Sequence, residues 1–185
     1  MNGLLEGKKI LVMGVANKRS IAWGCAQVMA QQGATLIFTY QNERMKKSLA
    51  KLVNDDDRLI ECDVAADENI EKAFTEVQKQ FGKIDGIVHA IAYADRNELQ
   101  GDVMKTTREG YNLAQDISAY SLIAVARYGQ KILNHPGSIV TLTYMGSVRA
   151  IPNYNAMGIA KAALESAVRY LARDMGKDNI RVNAI

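Results

Sequence analysis

Tyr154 and Lys161 are the two residues of this 185-residue sequence whose types and spacing could do chemistry together. They stand seven positions apart, which is two turns of an α-helix at about 3.6 residues per turn, so a helix would present both side chains on one face. Because a nearby ammonium group favours phenolate over phenol, we expect Lys161 to lower the pKa of Tyr154 and make it a better proton donor to an oxyanion. The alternative is a core tyrosine and an exposed lysine that pairs with Glu165 one turn further on.

The elements that must position this pair alternate short apolar strands with helical patterns. This alternation predicts βαβ units and an α/β fold, a Rossmann-type doubly wound parallel sheet between two helical layers. No linker or low-complexity run interrupts it, so we expect a single domain over residues 1–185. The predicted strands are Lys8–Gly14, Ala34–Thr39, Arg58–Cys62, Asp85–Ala90, Ser138–Thr143 and Ile180–Ile185, and the predicted helices are Ser20–Gln32, Glu43–Val53, Glu68–Phe81, Thr106–Leu133 and Asn155–Met175.

Composition argues against several other classes of protein. A net charge of +3, from 23 basic and 20 acidic residues, gives no field for nucleic acid. The apolar run Ile10–Met13 has the length of a strand, and no stretch reaches the roughly 18 apolar residues of a membrane span, so we expect a cytoplasmic protein. Cys25 and Cys62 lack a CxxC pair or a nearby histidine, which predicts reduced, buried thiols and no metal site. We expect His89 to be a satisfied, partly buried strand residue and His135 to lie exposed in a turn.

The first strand-to-helix turn has the features of a dinucleotide-binding loop. In an open parallel sheet the ligand lies at the carboxyl ends of the strands, and the first helix turns its amides and positive dipole toward a pyrophosphate. Gly14 would let the backbone approach the phosphates, Ser20 would supply an N-cap and a hydroxyl, and Gly24 would let the helix pack closely on the sheet. The loop departs from GxGxxG, since Ala16 replaces the middle glycine and the loop is longer.

The second strand ends at the position that meets the adenosine ribose in dinucleotide-binding folds. Gln41 stands there instead of an acidic residue, so it can bond a free 2′-hydroxyl without excluding a 2′-phosphate. Arg44, Lys46 and Lys47 can pair with such a phosphate or form a solvated face. We therefore expect NADH, with NADPH possible.

The third and fourth strands end in residues suited to the rings of a dinucleotide. Asp63 can accept a hydrogen bond from the adenine amino group while Val64 packs on the ring. The alternative for Asp63 is an N-cap for the helix that begins near Asp67. Ala90 and Ala92 are small enough to leave room for a flat ring.

Taken together, these segments resemble the enoyl-acyl-carrier-protein reductases of bacterial fatty acid synthesis, a divergent branch of the short-chain dehydrogenase/reductase superfamily. The superfamily's usual Tyr-x-x-x-Lys is absent, because Met157 stands four residues before Lys161. The two-turn spacing with Tyr144 ten residues upstream of Tyr154 marks the reductase branch. The segments that carry the resemblance are Gly14–Asn17, Ser20–Gly24, Phe38–Asn42, Cys62–Val64, Val88–Ala92, Tyr144, Ala150–Lys161 and Arg181–Ile185.

The resemblance implies a reaction and a set of roles. Hydride from NADH would reach the β-carbon of a trans-2-enoyl chain carried by acyl carrier protein, while Tyr154 bonds the thioester carbonyl oxygen and Lys161 bonds the nicotinamide ribose. Tyr144 would lie along the acyl chain or support the oxyanion site, and Ala94 would touch the substrate through its backbone. The implied cofactor contacts are Gly14, Ser20, Ile21, Gln41, Asp63, Val64, Ile91 and Lys161.

The resemblance also implies two apolar surfaces. A fatty acyl chain needs apolar walls in its site, and members of this kind usually form tetramers, which need apolar contacts between subunits. Candidates for the walls, each of which could equally be plain core, are Tyr93, Tyr144, Ile151 and Met157. Helices around 116–133 and 155–175 would pack between subunits, although one stripe buried against the chain's own sheet accounts for the same pattern. The residues of that stripe are Ile117, Ala124, Val125 and Tyr128.

The resemblance further implies that family members continue beyond Ile185 through a last strand, a substrate lid and more helices. We therefore expect this dinucleotide-binding domain to be incomplete at its C-terminus and to have little activity of its own, since a site without its lid admits water. Two other functions remain open: a short-chain reductase acting on a ketone or alcohol, and a non-catalytic dinucleotide-binding module.

Overall fold

The computed structural model describes residues 3–53 and 58–185. Within these ranges six parallel strands form one sheet in the order β3-β2-β1-β4-β5-β6. The order reverses between β1 and β4, which opens a crevice at the carboxyl ends of the strands. The strands are β1 (Lys9–Met13), β2 (Thr35–Tyr40), β3 (Leu59–Glu61), β4 (Ile84–His89), β5 (Leu133–Thr141) and β6 (Ile180–Ala184), and the helices are α1 (Ile21–Gln31), α2 (Glu43–Leu49), α3 (Asp67–Phe81), α4 (Arg108–Gln115), α5 (Ser121–Gly129) and α6 (Asn155–Gly176).

The sheet is buried on both faces around β1, as a doubly wound fold requires. Leu11 and Met13 belong to the apolar cluster under α3, α5 and α6, whereas Ile10 and Val12 belong to the cluster under α1 and α2. Successive side chains of a strand point to opposite faces, so one short apolar run supplies both cores. The predicted three-layer α/β fold is confirmed.

The predicted helix Thr106–Leu133 is wrong in its details. It is two helices, α4 and α5, joined by a π-helical turn at Asp116–Tyr120, and α5 ends at Gly129. β5 then begins at Leu133, which pairs with Ile84, five residues before the predicted start. His135 is exposed as predicted, but it lies in β5 rather than in a turn. Helix α2 likewise ends at Leu49 instead of Val53.

His89, the last residue of β4, is completely buried rather than partly buried. Its ring links β4 to β5 and α5. Its Nδ1 lies 2.9 Å from Thr141 Oγ1 on β5, and its Nε2 lies 2.8 Å from Ser121 Oγ on α5. Burial, reinforced by the charge of Lys161, lowers the pKa of His89 to about 3, so the imidazole is neutral at neutral pH. This buried bridge holds the carboxyl ends of β4 and β5 in register.

Both cysteines are free thiols, but only one matches the predicted burial. Cys62 is buried, and burial together with the charge of Asp63 raises its pKa to about 12. Cys25 is half-buried on α1. No helix within residues 3–53 and 58–185 has the length and apolarity that crossing a bilayer demands.

Candidate functional site

Helix α6 presents Tyr154 and Lys161 at the carboxyl edge of the sheet. Tyr154 is the N-cap residue of α6, and Lys161 lies in the second turn with only 6% of its surface exposed. The Lys161 Nζ donates a hydrogen bond of 2.7 Å to the Leu142 carbonyl, just beyond the end of β5. The solvated lysine paired with Glu165 is therefore ruled out, since the Glu165 carboxylate accepts from hydroxyls of the preceding loop instead.

The predicted lowering of the Tyr154 pKa is wrong. The pKa of Tyr154 is raised, first by burial and then by the neighbouring Tyr144. Burial lowers the pKa of Lys161, whose ammonium group is held by the Leu142 carbonyl. Tyr154 is therefore a neutral phenol at neutral pH, suited to donate a hydrogen bond and keep its proton until charge develops beside it.

Tyr144 completes an aromatic pair with Tyr154. The two ring centroids lie 4.9 Å apart with an interplanar angle of 68°, an edge-to-face contact. Gly146 makes this approach possible, because a Cβ there would lie 2.5 Å from Cδ1 of Tyr154. Tyr144 itself remains 43% exposed, so its ring forms a wall that a ligand can reach.

One cavity of about 360 Å³ brings together all three predicted catalytic side chains. It lies between the start of α6 and the ends of β4 and β5, and its surface is mainly apolar. Its other walls are Ile21, Ala90, Ile91, Ala92, Leu142 and Thr143.

A second cavity of about 510 Å³ adjoins the first, since both are lined by Ala90, Ile91 and Ala92. The second cavity runs along the carboxyl ends of β1, β2 and β3. Its walls include the predicted cofactor residues Gly14, Gln41, Asp63, Val64 and Ile91, together with Tyr93. The two cavities thus form one trough across the point where strand order reverses.

Gly14 is required where β1 turns into this trough. Its φ is +97°, and a Cβ at this position would lie 2.1 Å from the Ala90 carbonyl oxygen. The predicted reason for Gly24 is wrong, because a Cβ there would meet nothing within 4 Å. Close backbone approach is therefore needed between the first loop and β4, not between α1 and the sheet.

Ser20 is the N-cap residue of α1 by position, but its side chain does not cap the helix. Its Oγ accepts hydrogen bonds of 3.1 Å from the backbone N–H groups of Ala16 and Asn17, which closes the loop on itself. Acting as acceptor in both, the hydroxyl keeps its own proton for donation to a ligand. Ser20 does not line either cavity.

Gln41 and Asp63 are joined by a hydrogen bond at the end of the trough formed by β2 and β3. Gln41 Nε2 donates to Asp63 Oδ2 at 3.3 Å, and Asp63 Oδ1 accepts from the Ala65 N–H at 3.1 Å. The N-cap alternative for Asp63 is wrong, since Ala66 is the N-cap of α3. The nearby cations Arg44, Lys46 and Lys47 do not line the cavity. The Lys46 ammonium group lies 5.5 Å from the centre of the Tyr40 ring.

Several predicted residues lie away from the trough. Ala94, Ile151 and Met157 line neither cavity, and Met157 is 8% exposed. Core packing is thus the correct alternative for Met157. The predicted interface stripe also packs against the chain's own core: Ala124 and Val125 are buried in it, and Ile117 and Tyr128 are partly buried against it. Unlike the three residues above, Ile117 lines the second cavity.

Sequence reasoning missed Ser118, a completely buried residue of the π-helical turn. Its Oγ accepts from the Tyr93 N–H and donates to the Tyr93 carbonyl, both at 3.0 Å. These bonds pin the segment that follows β4, which lines both cavities. The only signal in the sequence is a hydroxyl inside an apolar helical stripe, and the π-helical turn that aims it has no comparable pattern.

Comparisons with known proteins agree on one family. The family model described as enoyl-(acyl carrier protein) reductase matches residues 14–185. The enoyl-[acyl-carrier-protein] reductase [NADH] FabI of Enterococcus faecalis is 59% identical over 181 residues, which covers 98% of this chain and 72% of that protein. The [NADPH] FabI of Staphylococcus aureus is 50% identical over 185 residues, with coverage of 98% and 72%.

The fold gives the same result. The crystal structure of the Bacillus cereus enoyl-acyl carrier protein reductase with NADP+ and indole naphthyridinone superimposes with a TM-score of 0.96 at 47% identity. The match covers 98% of this chain and 72% of that one.

Proposed function

The chain belongs to the enoyl-(acyl carrier protein) reductase family of NAD(P)H-dependent oxidoreductases, and from that premise we propose that Tyr154, Lys161 and Tyr144 form its catalytic site. The reaction is reduction of the trans-2 double bond of an enoyl chain on acyl carrier protein, a step of fatty acid synthesis. The observation that carries the proposal is that all three side chains line the first cavity, which together with the second cavity forms the trough at the strand ends.

The trough fits a dinucleotide. Two of the three residues that both cavities share are alanines, the first turn of α1 carries no acidic side chain, and Asp63 offers a carboxylate at the far end. These features suit two flat rings joined by a pyrophosphate. We assign Gly14, Ser20 and Ile21 to the phosphate and nicotinamide side, and Gln41, Asp63, Val64 and Ile91 to the adenosine side and the floor.

The chain's own residues then act on the thioester. NADH, when bound, supplies the hydride that adds to the β-carbon. As that bond forms, the electron pair of the double bond moves toward the thioester carbonyl, and Tyr154 donates a hydrogen bond to the oxygen that becomes negative. The ammonium group of Lys161 would hold the ribose hydroxyls of the bound cofactor and would stabilise this negative charge. A proton taken up at the α-carbon completes the saturated acyl thioester.

Replacing Tyr154 with phenylalanine tests this role. Loss of a hydrogen bond to a charged oxygen costs about 1.5–3 kcal/mol, so we expect kcat for a crotonyl thioester to fall about 10- to 150-fold. The KM for NADH should stay unchanged, because the ring and Lys161 remain. Tyr170→Phe is the matched control, since Tyr170 lies on the same helix and is 61% exposed. Full kcat in Tyr154→Phe would contradict the proposal.

Nucleotide preference should depend on Gln41. The Gln41 amide donates a hydrogen bond to Asp63. In Gln41→Arg this amide is replaced by a guanidinium group, which can pair with a 2′-phosphate. We expect the ratio of kcat/KM for NADPH to that for NADH to rise about tenfold or more, which corresponds to about 1.4 kcal/mol. Gln41→Met is the control, because it removes the bond to Asp63 without adding charge. An equal rise in both variants would show that the positive charge is not the cause.

We also infer a cytoplasmic homo-oligomer, the tetramer of the family. Free thiols suit a reducing compartment. Helices α5 and α6 and the turn before α5 still expose large apolar side chains that the chain's own core leaves uncovered, which suits packing between subunits. These side chains are Tyr120, Ile123 and Ile159.

A further inference from the structure

We propose that Glu165 is a positioning residue that holds Tyr144 against Tyr154 by clamping the loop on both sides of Tyr144. The inference rests on the proposed function for its consequence in catalysis, but the clamp itself is a property of the fold. Glu165 lies one turn beyond Lys161 on α6 and carries no role in the reaction described above.

The clamp consists of two hydrogen bonds to a single carboxylate oxygen. Glu165 Oε1 accepts from Thr143 Oγ1 at 2.7 Å and from Ser147 Oγ at 2.5 Å. Thr143 immediately precedes Tyr144, and Ser147 follows it by three residues. The carboxylate therefore fixes both ends of the short turn that carries the Tyr144 ring.

The hydrogen bonds are made to a charged acceptor. The two hydroxyls, and behind them the charge of Arg169, lower the pKa of Glu165, so the carboxylate is ionised at neutral pH. Charge-assisted hydrogen bonds are shorter and roughly twice as strong as neutral ones. A neutral or apolar side chain of the same length would hold the loop less firmly.

Other contacts tie the same loop to the same stripe of α6. The stripe runs through Tyr154, Gly158, Lys161 and Glu165, at helical spacings of four, three and four. Lys161 bonds the Leu142 carbonyl, and a Cβ on Gly158 would lie 2.9 Å from the Gly146 carbonyl oxygen.

The place of the Tyr144 ring depends on the turn that carries it. The ring is partly exposed, and it makes an edge-to-face contact with Tyr154, whose ring centroid lies 4.9 Å away. Its place in the cavity is therefore set by the backbone of its turn. Releasing the turn should move the wall of the proposed acyl site while leaving Tyr154 and Lys161 where α6 places them.

The direct test observes the aromatic pair without using activity. In protein with ¹³C-labelled tyrosine, NMR should show a cross-relaxation signal between the Tyr144 and Tyr154 rings, assigned with Tyr144→Phe. We expect the signal to persist in Thr143→Ser, which keeps a hydroxyl, and to fall at least threefold in Thr143→Val and Glu165→Met, which remove a donor or the acceptor. A signal of full strength in Glu165→Met would overturn the proposal. Should that variant fail to fold, the double variant Thr143→Val with Ser147→Ala tests the clamp in the same way.

The second readout separates positioning from general damage. We expect Ser147→Ala and Glu165→Met to raise the KM for a crotonyl thioester about tenfold while the KM for NADH changes less than twofold, since neither Ser147 nor Glu165 lines the cavity of the three catalytic candidates. Ser147→Thr, which keeps a hydroxyl, should show the parent values. Equal increases in both KM values would contradict a local clamp. The proposed function fails separately, if a prolonged assay at high chain concentration, able to detect the low activity expected of this chain, finds no reduction of an enoyl thioester while the ring-to-ring signal still depends on Glu165.

Discussion

Lys161→Met should reduce kcat/KM with NADH and a crotonyl thioester by about 10² to 10³, the loss expected when one preorganised electrostatic group is removed. Lys161 is the one of the three catalytic candidates that is buried, with its Nζ 2.7 Å from the Leu142 carbonyl. Methionine keeps the length and apolar stem but loses the charge and every donor. Both the hold on the ribose and the stabilisation of the developing negative charge would disappear together.

The same variant separates catalysis from stability. The Leu142 carbonyl would lose its partner, which costs about 1–3 kcal/mol for a buried polar group, and the desolvation that lowers the Lys161 pKa would be relieved. We therefore expect a folded protein, as judged by Trp23 fluorescence and a denaturant midpoint close to that of the parent. Lys177→Met provides the control, because Lys177 is an exposed lysine just after α6. A kcat/KM within threefold of the parent would remove Lys161 from the mechanism.

Gly14→Ala should abolish tight NADH binding and lower the free energy of unfolding by about 2–4 kcal/mol. A non-glycine residue at positive φ costs about 1–3 kcal/mol, and here the φ is +97°. The new methyl group would also lie 2.1 Å from the Ala90 carbonyl oxygen. Because the Cβ position is fixed by its own backbone and the Ala90 carbonyl is backbone too, no side-chain rotation relieves the clash, and the ends of β1 and β4 must separate at the floor of the trough.

Gly24→Ala is the matched control for this prediction. A Cβ at Gly24 meets nothing within 4 Å and lies inside α1, where alanine favours the helix over glycine by about 0.5–1 kcal/mol. We expect this variant to bind NADH normally and to be slightly more stable. Denaturant unfolding and NADH titration of both variants measure the contrast. Equal behaviour of the two would show that the close approach of Gly14 to Ala90 is unimportant.

The sequence by itself determined the layered fold and the place of the site. Apolar runs of strand length alternate with helical patterns, and parallel strands bring their carboxyl ends to one edge, so Gly14, Gln41, Asp63 and Ile91 had to meet there. The two-turn spacing of Tyr154 and Lys161 likewise follows from helix geometry. These are consequences of local periodicity and chain connectivity.

Only the tertiary structure decided how the side chains are used. The rise in the Tyr154 pKa, the bond from Lys161 to Leu142, and the hydroxyls of Thr143 and Ser147 on Glu165 depend on burial and on partners 18 to 22 residues apart in the chain. Ser118 reaches the Tyr93 backbone through a π-helical turn that has no sequence signature. Desolvation and hydrogen bonding depend on which atoms lie within about 3 Å of one another, and a one-dimensional pattern does not encode those distances.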